Sequence, residues 1–139
     1  MRALSALGAA ALLLAGCETA FVGKAPGGHY RLVEVNGRAP PSVANPGHHC
    51  PVTVESGRFD LDPIARRFAM TLSRAGPCIG GGRSEMRLFG SYLRRGGGLE
   101  LEAEQPAPPQ TLIAGEAGDT VSLTYENLRL RFRQVAPPR

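Results

Sequence analysis

The chain is short of aromatic residues and of lysine. Its 139 residues include no Trp, 5 Phe and 3 Tyr, and a single Lys stands against 15 Arg. So few aromatic rings favour a core filled by side chains over a roomy ligand pocket, within the one small domain that this length allows. The arginine bias is typical of genome composition, since a selected basic surface would normally mix both residues. With 42% hydrophobic residues the chain is not expected to be disordered.

The sequence also lacks an apolar run long enough to cross a bilayer. Its longest run, residues 3–14, is interrupted only by Ser5 and follows the basic residue Arg2. As a helix this run would span about 18 Å, against about 30 Å of hydrocarbon. The pattern is typical of the apolar region of a signal peptide, and we predict that residues 1–16 form one.

Residues 14–17 read Leu-Ala-Gly-Cys and resemble the bacterial lipobox. The resemblance implies that the chain is cut before Cys17, which then carries palmitate and further acyl chains that hold it in the lipid bilayer. By resemblance to enterobacterial lipoprotein sorting, Glu18 in place of Asp implies the outer membrane of the cell envelope, with the protein facing the periplasm. The alternative is an ordinary signal peptide with a coincidental cysteine. Residues 17–28 are interpreted as the lipidated cysteine and a flexible tether.

The rest of the chain consists of short predicted strands separated by turns, and nothing matches a helix over more than one turn. The strands are predicted at 30–35, 52–61, 68–73, 86–93, 99–104, 111–114, 121–125 and 128–133. The alternation changes phase at Ser56-Gly57, as a β-bulge would produce, and Gly90 marks a second candidate bulge. Eight strands at this spacing predict an all-β fold, either an antiparallel barrel or a sandwich.

Residues 30–37, Tyr-Arg-Leu-Val-Glu-Val-Asn-Gly, resemble the opening strand of small bacterial lipocalin-like and META-domain lipoproteins. Phe-Gly-Ser-Tyr at 89–92 is similar to part of their central hairpin, and residues 128–132 to a closing strand. The resemblance implies a small antiparallel meander β-barrel of about eight strands and carries no catalytic residues. We predict that the barrel domain occupies residues 29–135 and that residues 136–139 are a disordered tail.

Two cysteines remain once Cys17 is assigned to lipid, and the oxidising envelope favours a disulfide between Cys50 and Cys78. Cys50 precedes the second predicted strand and Cys78 follows the third, so antiparallel pairing would bring both to one barrel end. The bond would tie the Pro-rich loop 38–49 to the Gly-rich loop 74–84. The alternatives are free thiols, or a metal site that includes the two histidines before Cys50. Adjacent residues of an extended chain point opposite ways, which disfavours both histidines as ligands of one ion.

Arg129, Arg131 and Arg133 alternate with apolar residues in the last predicted strand. One interpretation is an anion patch for lipid phosphate or cell-wall polymers. The other is a solvated outer face that pairs with glutamates of a neighbouring strand. The three glutamates of 99–104 are likewise interpreted as a solvated face. Nucleic acid is not expected as a partner, because the compartment lacks it and no aromatic residues interleave with the arginines.

No catalytic motif stands out. Cys78 as a nucleophile beside a histidine lacks any surrounding signature, and Ser84 and Ser91 lack a Gly-x-Ser-x-Gly elbow. We therefore predict no catalytic residues, no metal and no cofactor. The expected function is that of a non-enzymatic, membrane-anchored envelope lipoprotein whose barrel binds an unknown envelope protein or maintains envelope integrity. The alternative is a lipocalin-type carrier of a small apolar ligand, which an enclosed apolar cavity above about 300 Å³ would favour.

Overall fold

The computed structural model describes residues 27–136. The predicted signal peptide, Cys17, nearly all of the predicted tether and the last three residues lie outside the described residues. Nine strands fill most of the described chain, with one turn of 3-10 helix at Gly80–Gly82. The strands are β1 Gly28–Val35, β2 Ser42–Val43, β3 Thr53–Asp62, β4 Arg67–Ala75, β5 Arg83–Arg95, β6 Gly98–Gln105, β7 Gln110–Ala117, β8 Thr120–Tyr125 and β9 Leu128–Gln134.

Eight of these strands close into an antiparallel barrel. From β3 to β9 each strand pairs with the next one along the chain, and β1 pairs with both β9 and β3 to complete the ring. The short β2 adds to the outside of this ring by pairing with β3. The predicted all-β meander barrel of eight strands is therefore confirmed.

Two local predictions were wrong. The loop predicted at 38–49 contains β2, whose Ser42 is buried against β3 opposite Val54. The strand predicted at 111–114 is longer, because β7 continues to Ala117 and pairs there with the start of β8. Gly118, with a φ of 60°, provides the left-handed conformation of the turn between these two strands, whereas Gly115 stays in the ladder.

Both predicted bulges are present. The register between β3 and β4 shifts between Val54 and Ser56, which makes Glu55 the extra residue and reverses the alternation as predicted. The second shift lies opposite Gly90, but its extra residue is Glu104 on β6. A Cβ on Gly90 would lie 1.8 Å from the backbone oxygen of Glu102, so only glycine fits against the bulge.

The barrel interior is packed around Phe59, which is fully buried. Its ring centroid lies 6.1 Å from those of Tyr30 and Phe68 and 5.6 Å from that of Phe132. Rings from four adjacent strands thus meet near the barrel axis, and smaller side chains from the other strands fill the space opposite. Those buried side chains are Leu88, Leu99, Leu101, Ala103, Ala114, Val121 and Leu123.

The two ends of the barrel differ. One end, called here the terminal end, holds the start of β1, the end of β9 and three short turns at 63–66, 96–97 and 118–119. The other, called here the disulfide end, holds the longer connections 36–52 and 76–82 and the segment 106–109. The described chain therefore enters and leaves the barrel at the end with the short turns.

Candidate functional site

Cys50 and Cys78 form a disulfide at the disulfide end, with Cα atoms 5.6 Å apart. This confirms the predicted bond and the reasoning that sequential antiparallel strands bring both cysteines to one end. Asn45 orders the connection before β3, because its Oδ1 accepts a hydrogen bond from the Val52 amide at 2.7 Å. The disulfide therefore ties the loop that precedes β3 to the loop that follows β4, as predicted. It also leaves Cys78 without a thiol for nucleophilic chemistry.

The histidine pair beside the disulfide does not have the geometry predicted for it. The chain bends after Gly47, whose φ is 82°, and the rings of His48 and His49 stack with centroids 4.5 Å apart. The expectation that they point to opposite sides was wrong because it assumed an extended chain. His48 Nδ1 accepts a hydrogen bond from the Cys50 amide at 3.1 Å. Across residues 27–136, no three His, Cys, Asp or Glu side chains are grouped so that they could hold a metal ion.

The predicted arginine stripe faces outward along β9, but its three members have different surroundings. Arg131 forms an ion pair with Glu34 on the adjacent β1. Arg133 lies 4.0 Å from Asp119, at the outer limit of an ion pair. Arg129 has no acidic partner among the described residues. Arg131 therefore fits the interpretation of a face that pairs with glutamates of a neighbouring strand, whereas Arg129 and Arg133 have no such glutamate partner in the part of the chain that the structure describes.

A groove of about 600 Å³ on the outer face lies next to Arg129 and Arg131. It follows the place where β7 and β8 part, since their ladder ends at the pair Ala114 and Leu123. Its floor and walls combine hydroxyl, apolar and charged groups. The outward side chains that line it are Glu34, Thr111, Ile113, Ser122, Thr124, Arg129 and Arg131. The groove therefore offers both an apolar contact and an anion-binding contact on the outside of the barrel.

Each glutamate on β6 has a partner on another strand: β5 for Glu100, β7 for Glu102, and β4, two strands away, for Glu104. The pairs are Arg95 Nε with Glu100 at 2.9 Å, Thr111 Oγ1 with Glu102 at 2.7 Å, and Arg67 Nη1 with Glu104 at 2.7 Å. The hydrogen bond from Arg67 lowers the pKa of Glu104 and raises that of Arg67. On this face, interpreted as solvated, arginines compensate the charges of Glu100 and Glu104, and Glu102 accepts a hydrogen bond from a neutral hydroxyl.

A polar cluster lines the barrel at the terminal end. Arg94 donates a hydrogen bond to Glu116 at 2.8 Å, and the buried phenols of Tyr30 and Tyr92 belong to the same end. Burial raises the pKa of both tyrosines, and the nearby Glu116 carboxylate raises it further. The cluster was not predicted because the strand predicted at 111–114 stops before Glu116, although the alternation Leu112, Ala114, Glu116 continues without a break.

A second basic feature crosses strands instead of following one. Cross-strand register sets Arg133 of β9 beside Arg31 of β1, and Arg31 beside Arg58 of β3. In the ring of eight strands β1 lies opposite β6, so this arginine row faces away from the three glutamates. Its members are far apart in sequence, and only the closure of the barrel brings them together.

No described helix is both long and apolar enough to cross a membrane. Comparisons of the chain with protein-family models, with curated proteins and with solved structures find no match.

Proposed function

We propose that this chain is a lipid-anchored protein of the bacterial cell envelope that acts by binding a partner, without catalysis. The observation that carries the proposal is the sequence Leu-Ala-Gly-Cys at 14–17 directly after a short apolar run. Acylated Cys17 would hold the protein in the outer membrane, facing the periplasm. The closed meander is compatible with the small lipocalin-like and META-domain lipoproteins that residues 30–37 resemble, and kinship with them is part of the proposal.

The position of the barrel ends supports such an anchor. Nine residues, 18–26, separate Cys17 from Gly27 at the terminal end. Fully extended, that segment reaches at most about 35 Å, so the barrel would stay close to the bilayer. The disulfide end, with its longer connections, would then point away from the membrane and towards other envelope components.

The packing of the interior favours binding on the outside over carriage within. Phe59 and its ring neighbours are packed together in the barrel interior, and the 600 Å³ groove lies on the outer face. Ile113 beside that groove is 68% exposed, so it offers an apolar side chain for contact at the edge of the groove. We propose that this groove contacts a partner protein of the envelope.

Replacement of Cys17 tests the anchor. We expect Cys17→Ser to give an unprocessed precursor or a soluble form that takes up no labelled palmitate, because the acyl acceptor is gone. Thr19→Ser, two residues further on, is the matched control and should be processed and anchored normally. If Cys17→Ser still fractionates as mature, membrane-bound protein, the lipoprotein assignment is wrong.

Site-specific photo-cross-linking tests the binding surface. A photoreactive residue at Ile113 should capture a protein in intact cells, whereas the same residue at Ile64, which is 95% exposed in a turn of the terminal end, should not. Native isolation with mass spectrometry of proteins and small molecules completes the test. A stoichiometric apolar small molecule with no protein partner would favour the carrier function instead.

A further inference from the structure

The arginine row is an unfavourable arrangement for the folded chain. Arg31 pairs in register with Arg133 on one side and with Arg58 on the other. Side chains directly opposite each other on one face of a sheet have Cβ atoms only about 5 Å apart, and like charges in that position repel. A sheet that places three arginines side by side is therefore stabilised by nearby acids or by a bound anion.

Acidic side chains compensate the row only in part. Arg58 Nε lies 3.9 Å from Asp60 Oδ2, and the other oxygen of Asp60 is 2.6 Å from His29 Nδ1. Arg133 Nε lies 4.0 Å from Asp119. Arg31 has no acidic partner among the described residues. Most ion pairs elsewhere on the barrel are closer, as at 2.6 Å between Arg87 and Glu85, although Arg83 and Glu55 are 3.4 Å apart.

A groove of about 340 Å³ opens beside Arg31 and Arg58 on the outer face of β1, β3 and β4. It lies next to the bulge at Glu55, which displaces β3 from regular pairing with β4. Three hydroxyl side chains line it: Ser56, Thr71 and Ser73. The one carboxylate on its rim, Glu85, is held by Arg87 at 2.6 Å.

We infer that this groove binds a phosphate group through Arg31 and Arg58, with Arg133 supplying further positive charge. Two guanidinium forks on adjacent strands present more donors than the two coplanar oxygens of a carboxylate can accept, whereas the four oxygens of a phosphate group, ester oxygens included, point to the corners of a tetrahedron and can reach both forks and the hydroxyls. The phosphate belongs either to an anionic lipid headgroup or to a soluble phosphate compound. The inference goes beyond the proposed partner-binding role and does not depend on the lipid anchor.

The test uses the full-length chain in neutral detergent, with two probes. Soluble phosphate is represented by pyrophosphate, and lipid phosphate by phosphatidylglycerol in mixed micelles, with phosphatidylcholine micelles as the zwitterionic reference. We expect the double variant Arg31→Gln, Arg58→Gln to bind the effective probe at least about tenfold more weakly, because charge-assisted hydrogen bonds are lost. The matched control, Arg38→Gln with Arg66→Gln, removes two exposed turn arginines and should bind like the unchanged protein.

The two probes separate the sources of phosphate. Binding of phosphatidylglycerol that pyrophosphate does not displace assigns the site to a lipid headgroup, and binding of pyrophosphate alone assigns it to a soluble compound. Either result supports the site, provided that the double variant loses it and keeps the circular dichroism spectrum of the unchanged protein. Failure of both probes to bind, equal binding by the double variant, or equally tight binding of succinate would overturn the inference.

Discussion

Arg67 at the start of β4 and Glu104 on β6 form a two-pronged ion pair, with Nη1 and Nη2 at 2.7 and 3.0 Å from the two carboxylate oxygens. The pair spans β5, which lies between these strands. Glu104 is the extra residue of the bulge opposite Gly90, and a bulge re-aims the side chain of the residue it inserts. The bulge thus lets a glutamate reach an arginine two strands away.

Removal of Arg67 should change the titration of Glu104. The hydrogen bond from Arg67 holds the pKa of Glu104 below its ordinary value of 4.5, so the pair stabilises the fold above that pH and the contribution is lost as the pH falls through the lowered pKa. We expect Arg67→Gln to raise the pKa of Glu104 towards 4.5, measured by carboxyl-carbon NMR titration. Arg95→Gln, which removes the partner of Glu100, should leave Glu104 unchanged.

All three tyrosines should ionise late. Burial is the main cause that raises the pKa of Tyr30, Tyr92 and Tyr125 above 10.0. The native state holds these protons more tightly than the unfolded chain, so their contribution to stability is complete below pH 10.0 and is lost as the pH rises from there towards the raised values. Because the chain has no Trp, phenolate absorbance reports tyrosine alone. A phenol of the folded protein that titrates at or below 10.0 would contradict the burial of that ring.

The disulfide should contribute substantially to stability. The double variant Cys50→Ala, Cys78→Ala releases a loop closed over 28 residues of sequence separation, and we expect the free energy of unfolding to fall by about 2–4 kcal/mol with the fold retained. Denaturant unfolding followed by circular dichroism measures the change. Non-reducing mass analysis of the unchanged protein should show the loss of two hydrogens. Two free thiols in protein purified from the envelope would contradict the bond.

Gly90 should tolerate no side chain. In Gly90→Ala the new Cβ would meet the backbone oxygen of Glu102 at 1.8 Å, and backbone cannot swing aside as a flexible side chain can. We expect a loss of about 3 kcal/mol in the free energy of unfolding, measured by urea titration. Gly97→Ala is the control, because nothing lies within 4 Å of its Cβ position, and its effect should stay within about 0.5 kcal/mol. Equal stability of the two variants would show that the β5–β6 ladder yields at the bulge.

Much of the fold could be predicted from local patterns in the sequence. Strict alternation predicted β4 around Phe68, Met70 and Leu72, and a break in alternation predicted the bulge at Glu55. The Cys50–Cys78 bond was predicted from the pair of cysteines left after Cys17 and from the oxidising envelope, and strand order predicted that the two would meet. Such features depend on neighbours within one hairpin, where the chain itself sets the register.

Features that depend on barrel closure could not be predicted from the sequence. The arginine row joins Arg31, Arg58 and Arg133 only because β1 pairs on both of its edges, and no local pattern relates those positions. The groove beside Ile113 likewise arises where β7 and β8 separate, and a strand pattern does not indicate where a ladder stops. The arginines predicted on β9 do face outward, but the basic surface also includes Arg31 and Arg58 on other strands.

Because β1 pairs with β3 on one edge and with β9 on the other, the barrel can close only after β9 is available. β1 is the first strand of the described chain, yet its partner β9 ends at Gln134. As the chain emerges N-terminus first, β1 can pair with β3 early, while its other edge stays open until nearly the whole chain is available. An open edge strand recruits other chains. The nascent protein is therefore most vulnerable to aggregation just before β9 arrives, and a truncation that removes β9 would leave a persistent, adhesive edge on β1 and another on β8.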